Sequence, residues 1–163
     1  MAVRPIVSYP DIALRTPCAE VTQFDAGLRA LADDLLDTMR AAPGVGITGP
    51  HVGVLQRITV LELTPGDVRI YVNPAVEYAS DETQRHTEGS VSMPGVTEEV
   101  ERPARIRIRY RALDGNAMTE EADGFLATCL QHEIDQLDGV FWLQRLSRLK
   151  RERAVKRWEK ARR

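Results

Sequence analysis

The stretch from Asp123 to Asp138 constrains this chain most, because it reads as a helix whose buried face carries polar groups. At about 100° per residue, Phe125, Cys129, His132 and Gln136 fall on one line, and Leu126, Leu130, Glu133 and Leu137 occupy the adjoining arc. His132, Glu133 and Gln136 therefore sit inside an apolar face. Buried polar groups are costly unless partnered, so the helix needs either a hydrogen-bond network or a bound ligand around it. Gly139 is placed to cap its C-terminal end. His132-Glu133 also supplies the first two members of H-E-x-x-H, the spacing that sets two imidazoles one turn apart on a metal with Glu as proton carrier. Gln136 stands where the second imidazole would be.

An earlier helix is expected from Asp25 to Arg40, where Leu28, Leu31, Leu35 and Met39 form one apolar stripe and Ala41-Ala42-Pro43-Gly44 stops it. Strands are expected at Arg57–Leu63, Val68–Val72 and Ala104–Arg111. In the last of these, Ile106, Ile108 and Tyr110 alternate with Arg105, Arg107, Arg109 and Arg111, giving one cationic face. Asp114-Gly115 reads as a turn into a further short strand. A third helix is expected from near Arg145 to the end, with Leu146, Leu149, Val155 and Trp158 as an incomplete stripe. Strands in the middle and helices toward both ends indicate an α+β domain.

With 163 residues and no repeat or linker, one domain spanning 1–163 is the expectation. No apolar run approaches the roughly 18 residues of a membrane-spanning helix, and Met1-Ala2-Val3-Arg4-Pro5 does not open an apolar signal segment. A cytoplasmic location and no membrane partner are expected. Two cysteines, Cys18 and Cys129, exclude a four-thiolate zinc site and argue against a disulfide framework. The net charge of −2 hides an asymmetry: Arg145–Arg163 holds 10 Lys and Arg against 2 Glu, so this tail is +8 and the body −10. Such a tail suits a polyanion, nucleic acid above all, or else packs back as a solvated helix on its own acidic body.

Three segments resemble signatures of one enzyme family. Gln131-His132-Glu133-Ile134-Asp135-Gln136-Leu137-Asp138-Gly139 is similar to Q-H-E-x-D-H-L-x-G of the peptide deformylases, with Gln136 for the second His. Glu88-Gly89-Ser90-Val91-Ser92-Met93-Pro94-Gly95 resembles their E-G-C-L-S-x-P-G, with Ser90 for Cys. Gly44-Val45-Gly46-Ile47-Thr48-Gly49-Pro50-His51 resembles their G-x-G-x-A-A-x-Q, with His51 for Gln. The order agrees, and the ends agree as well: Ile6–Arg15 is similar to the family's opening and Leu146–Lys150 to the start of its C-terminal helix.

The resemblance implies a peptide-deformylase-like fold, antiparallel strands packed around a central helix carrying His132-Glu133, with a basic C-terminal helix over about 145–163. In that family one divalent metal, commonly Fe(II) and often replaced by zinc or nickel, is held by the Cys and both His; a metal-bound water attacks the N-formyl group of a nascent methionyl peptide. The ligand positions become Ser90, His132 and Gln136 here. A neutral hydroxyl and an amide are poor ligands for such metals, so tight metal binding is expected to be lost and no cofactor is expected. The resemblance gives Glu133 the proton transfer, and gives His51 with the Val91 backbone N–H the polarisation of the formyl oxygen. Gly44, Val45, Gly46, Glu88, Gly89, Leu126 and Cys129 are assigned to the peptide cleft, with simple core packing as the other reading of Leu126 and Cys129. His132 and Gln136 are expected to bond to each other or to Ser90.

Two enzymatic alternatives stay open at this stage. A rebuilt metal site would use His51 and His132 with an oxygen ligand, making the chain an active amide hydrolase. A metal-free one would use Ser90 as nucleophile beside a histidine. His86 is read as an ordinary loop residue. The leading expectation is a catalytically impaired deformylase-like protein that binds formylated or nascent peptides, and binds ribosomes through the basic helix.

Overall fold

Asp25 starts the first helix, its Oδ1 accepting the Leu28 N–H at 3.1 Å, and α1 (Ala26–Ala41) buries Leu28, Leu31, Leu35 and Met39 as its spacing predicts. The computed structural model describes residues 2–163. After α1 come β1 (Gly46–Thr48), β2 (Ile58–Leu61), β3 (Arg69–Ala79), β4 (Thr83–Glu88), β5 (Glu98–Pro103), β6 (Arg105–Arg111) and β7 (Ala117–Asp123). Then α2 (Gly124–Leu137) and, after a 3₁₀ turn at Trp142–Arg145, α3 (Arg148–Ala161) complete the fold.

Five strands form an antiparallel sheet in the order β1-β2-β3-β6-β7. All four residues of β2 are buried, because helices lie on both sides of it. On one side Ile58, Val60 and Val72 pack with Leu28, Leu31 and Leu35 of α1. On the other, Leu61, Tyr71, Ile106 and Ile108 pack with Ala127, Leu130 and Ile134 of α2. The alternation of Ile106 and Ile108 with arginines is thus the alternation of core and solvent, and Arg105, Arg107, Arg109 and Arg111 do form the exposed face.

β4 and β5 form a separate two-stranded hairpin that closes over the polar side of α2. Neither strand, nor the short β1, shows in the sequence pattern. The reason is chemical: of the inward positions of the hairpin, Val100 buries hydrocarbon, but Gln84, His86, Glu88 and Arg102 bond to α2 instead. Gln84 Nε2 donates to Thr128 Oγ1 at 3.1 Å, and His86 Nδ1 lies 2.9 Å from the same oxygen. His86 is therefore a strand residue, not a loop residue.

Other departures are matters of extent. β3 runs on to Ala79, past the expected end at Val72, across an irregularity where Asn73 takes a positive φ of 53°. Asn73 is held there by exchanging hydrogen bonds with the Val21 backbone, at 2.8 and 2.9 Å. α3 begins at Arg148 instead of near Arg145, with Ser147 Oγ accepting the Lys150 N–H at 3.3 Å. Gly139 ends α2 with φ 80°, and a Cβ there would come within 3.0 Å of the Arg15 carbonyl, so both backbone angle and space require glycine.

Candidate functional site

A cleft of about 460 Å³ lies between α2, the loop before β1 and the Glu88–Thr97 turn. Its walls include Gly44, Val45, Gly46, His51, Glu88, Gly89, Ser90, Val91, Cys129, His132 and Glu133. Three separated sequence segments thus meet in one place. Gly46 keeps this junction close, because a Cβ at this position would stand 2.7 Å from Leu61 Cδ2 and 3.2 Å from the Glu133 carboxyl.

Two expected members are elsewhere. Leu126 lies on another surface, beside Tyr78, Arg105 and Ile106, where it packs against the core on the sheet side of α2. Gln136 is buried but outside the cleft: its Nε2 donates to the Leu14 carbonyl at 2.7 Å. It bonds neither to His132 nor to Ser90; its amide is taken up by the Leu14 carbonyl of the 3₁₀ turn at Ile12–Arg15.

His132 is held instead by a chain of charges that runs from the buried Glu88 and Arg102 out to the exposed Arg145. Its Nδ1 is 2.8 Å from Glu88 Oε1. Arg102 grips both Glu88 oxygens, at 2.6 and 2.9 Å, and reaches Asp135 at 2.8 Å. Arg145 closes the chain with two further bonds to Asp135, each 2.8 Å. Burial raises the Glu88 carboxyl, but the bonds from His132 and Arg102 outweigh it and hold the group down to about 2. Burial also works against the His132 imidazolium, yet the bond to Glu88 and the charge of Glu133 raise its pKa overall. Arg102 escaped the sequence reading; the signal available was a buried Glu–His pair that must find a counter-cation.

Glu133 and His51 face different surroundings. Glu133 Oε1 is 3.6 Å from His132 Nε2, while its Oε2 is buried with no hydrogen-bond partner. Burial pushes this carboxyl up to about 7, with His132 pulling partly the other way. His51 sits in the 3₁₀ turn Gly49–Val52, and its Nδ1 accepts the Thr48 backbone N–H at 2.9 Å. A backbone N–H can only donate, so Nδ1 carries the lone pair and the proton resides on Nε2. That Nε2 is buried without a partner. Burial, aided by the nearby charge of His132, brings the His51 pKa down to about 3, which fixes the neutral form. The Ser90 hydroxyl accepts the Ser92 N–H at 3.0 Å in the turn that carries Val91.

The described residues include no group of three or more His, Cys, Asp or Glu that could hold a metal ion. Among them, no helix is long and apolar enough to cross a membrane.

The polypeptide deformylase family model matches residues 3–152. A protein of Brucella melitensis named peptide deformylase-like is 65% identical over 164 residues, covering 100% of both chains. A peptide deformylase of Phenylobacterium zucineum is 44% identical, covering 98% of this chain and 97% of that protein. Among solved structures, the peptide deformylase of Ehrlichia chaffeensis in complex with actinonin superimposes with a TM-score of 0.93 at 37% identity, covering 100% of this chain and 99% of that one.

Proposed function

Since the chain belongs to the peptide deformylase family, we propose that it binds N-formylated or nascent methionyl peptides in its cleft without a tightly held metal, its deformylase activity lost or strongly reduced. The observation that carries this reading is the pair of unpartnered buried atoms, His51 Nε2 and Glu133 Oε2, on two residues that line the cleft. An unsatisfied donor and an unsatisfied acceptor in the walls of one cleft are costly when unpaired and complementary to an amide, which accepts at its carbonyl and donates at its N–H.

The donor set does not fit a transition metal. Ser90 offers a neutral hydroxyl, Gln136 is turned to Leu14, and His132 is the one imidazole left at a family ligand position. The same tautomer that makes His51 a donor argues against a rebuilt site: Nδ1 is occupied by Thr48 and Nε2 carries a proton. Nor is Ser90 supported as a nucleophile, because its Oγ accepts the Ser92 N–H and, among the described residues, no hydrogen bond joins it to a histidine that could take its proton. Glu133 alone supplies proton transfer worth about 10²–10⁴-fold, well short of amide hydrolysis.

Titration of the protein with formyl-Met-Ala-Ser and with the same peptide bearing a free amine tests this. The formylated peptide is expected to bind about tenfold tighter, and to be recovered intact by mass spectrometry. His51→Ala removes the preference. Equal affinity for the two peptides, or release of formate that a chelator stops, overturns the reading.

The basic α3 favours a second element, association with ribosomal RNA. Among the described residues, Arg151, Arg153, Lys156 and Lys160 of this helix have no acidic partner. Cosedimentation with ribosomes that falls with salt, and is abolished by removing residues 148–163, is the expected result.

A further inference from the structure

The lip of the cleft is tied to the basic helix. Val96 and Thr97 line the cleft, and the Val96 carbonyl lies close enough to Gly89 that a Cβ there would meet it at 3.1 Å. From α3, Arg157 Nη2 donates to the Thr97 carbonyl at 3.0 Å and lies 3.4 Å from Glu98 Oε2. Lys150 Nζ lies 3.9 Å from the other oxygen of Glu98. Beneath these polar ties, Ala154 and Trp158 share an apolar cluster with Met93 and Val96. Helix, lip and the turn bearing Ser90 are therefore one stack of contacts.

We propose that Arg157, Lys150 and Glu98 form a latch through which RNA bound along α3 loosens the lip and weakens peptide binding. The inference deepens the preceding reading and rests on it. Phosphates drawn by the unpaired cations of α3 compete with Glu98 for Arg157 and Lys150. Those two side chains are 47% and 42% exposed, and Glu98 is 24% exposed, so the ties are accessible to a competitor. Losing them frees the Thr97 carbonyl and lets the 95–99 segment move away from Gly89. Coupling of this kind is reciprocal: peptide in the cleft weakens RNA binding by the same factor. Half-exposed ion pairs are individually weak, so the effect is about two- to fivefold in each affinity.

Hydrogen exchange on the full chain tests the latch, with a short RNA hairpin at low salt as the probe and formyl-Met-Ala-Ser affinity measured in parallel. Saturating RNA, Arg157→Ala and Glu98→Gln are each expected to speed exchange of the amides at 95–99 and to raise the peptide Kd two- to fivefold. In Glu98→Gln the hairpin still binds but adds less loosening than in the parent protein, since only the Arg157–Thr97 bond remains for it to break. Unchanged exchange at 95–99 in both variants, or RNA loosening the lip equally in Glu98→Gln, overturns the latch. Exchange is read without peptide, so a protein that fails to bind the peptide defeats the preceding reading and leaves the latch to be decided by exchange alone.

Discussion

Two β-structures hold the same helix by opposite means. The five-stranded sheet meets α2 with Leu61, Tyr71, Ile106 and Ile108, a contact of hydrocarbon on hydrocarbon. The β4–β5 hairpin meets it with Gln84, His86, Glu88 and Arg102, each hydrogen-bonded to a helix residue or to a neighbour that is. Apolar contacts tolerate small losses in proportion to the volume removed. A charged network behaves as a unit, because removing one member leaves the next charge buried and unpaired. Of the two cleft residues on this helix, His132 stands on the hairpin side, its position set by the bond to Glu88, whereas the Glu133 carboxyl lies against Gly46 of β1 with no hydrogen bond among the described residues to fix it.

The largest effect that separates the two regions is expected at Arg102, whose side chain is 4% exposed. Arg102→Met leaves the Glu88 carboxylate buried without its cation and should cost about 3–5 kcal/mol in urea unfolding. Adding Glu88→Gln removes that stranded charge, so the double variant should regain most of the loss. Strictly additive losses in the double variant would break the idea of a network.

Acid sharpens the comparison at the cleft. His51 is held neutral with a pKa of about 3, against about 6.5 in the unfolded chain. Below pH 6.5 the unfolded chain takes up a proton that the folded one refuses, so stability falls with pH through the window between 6.5 and 3. The slope approaches about 1.4 kcal/mol per pH unit, giving a loss of about 3 kcal/mol by pH 4. Urea unfolding of His51→Gln across the same range should lack this component. Parallel pH profiles for the two proteins would count against a buried neutral His51.

The contrast between the regions also explains what could be read from the sequence. α1, α2, β2 and β6 announce themselves by apolar period, since their neighbours are hydrophobic. The hairpin does not, because Gln84, His86, Glu88 and Arg102 face inward with only Val100 as a buried apolar residue among them, and a pattern of Glu, Arg and His looks like a solvated loop. In the cleft, His51, Ser90, His132 and Glu133 were identified from motifs and do come together. The family resemblance also assigns Gln136 and Leu126 to this site, but matching a motif fixes a residue's place in the chain and not where its side chain finds a partner. A residue such as Gln136 with a free backbone carbonyl at Leu14 follows the hydrogen bond. Arg102 carried no motif at all; only the chemistry of burying Glu88 beside His132 called for it.

The smallest effect belongs to the apolar side. Ile108 is fully buried between β6 and α2, and Ile108→Val removes one methylene from a packed core for about 1 kcal/mol. Its value is in combination. Ile108 shares no hydrogen bond with the chain of charges from Arg145 to His132, so Ile108→Val and Arg102→Met should add to within about 0.5 kcal/mol. Peptide affinity should be untouched by Ile108→Val and reduced by Arg102→Met, since only the latter unseats His132. A coupling well above that margin would mean that the sheet also sets the position of the polar face of α2, and that the two β-structures hold the helix jointly.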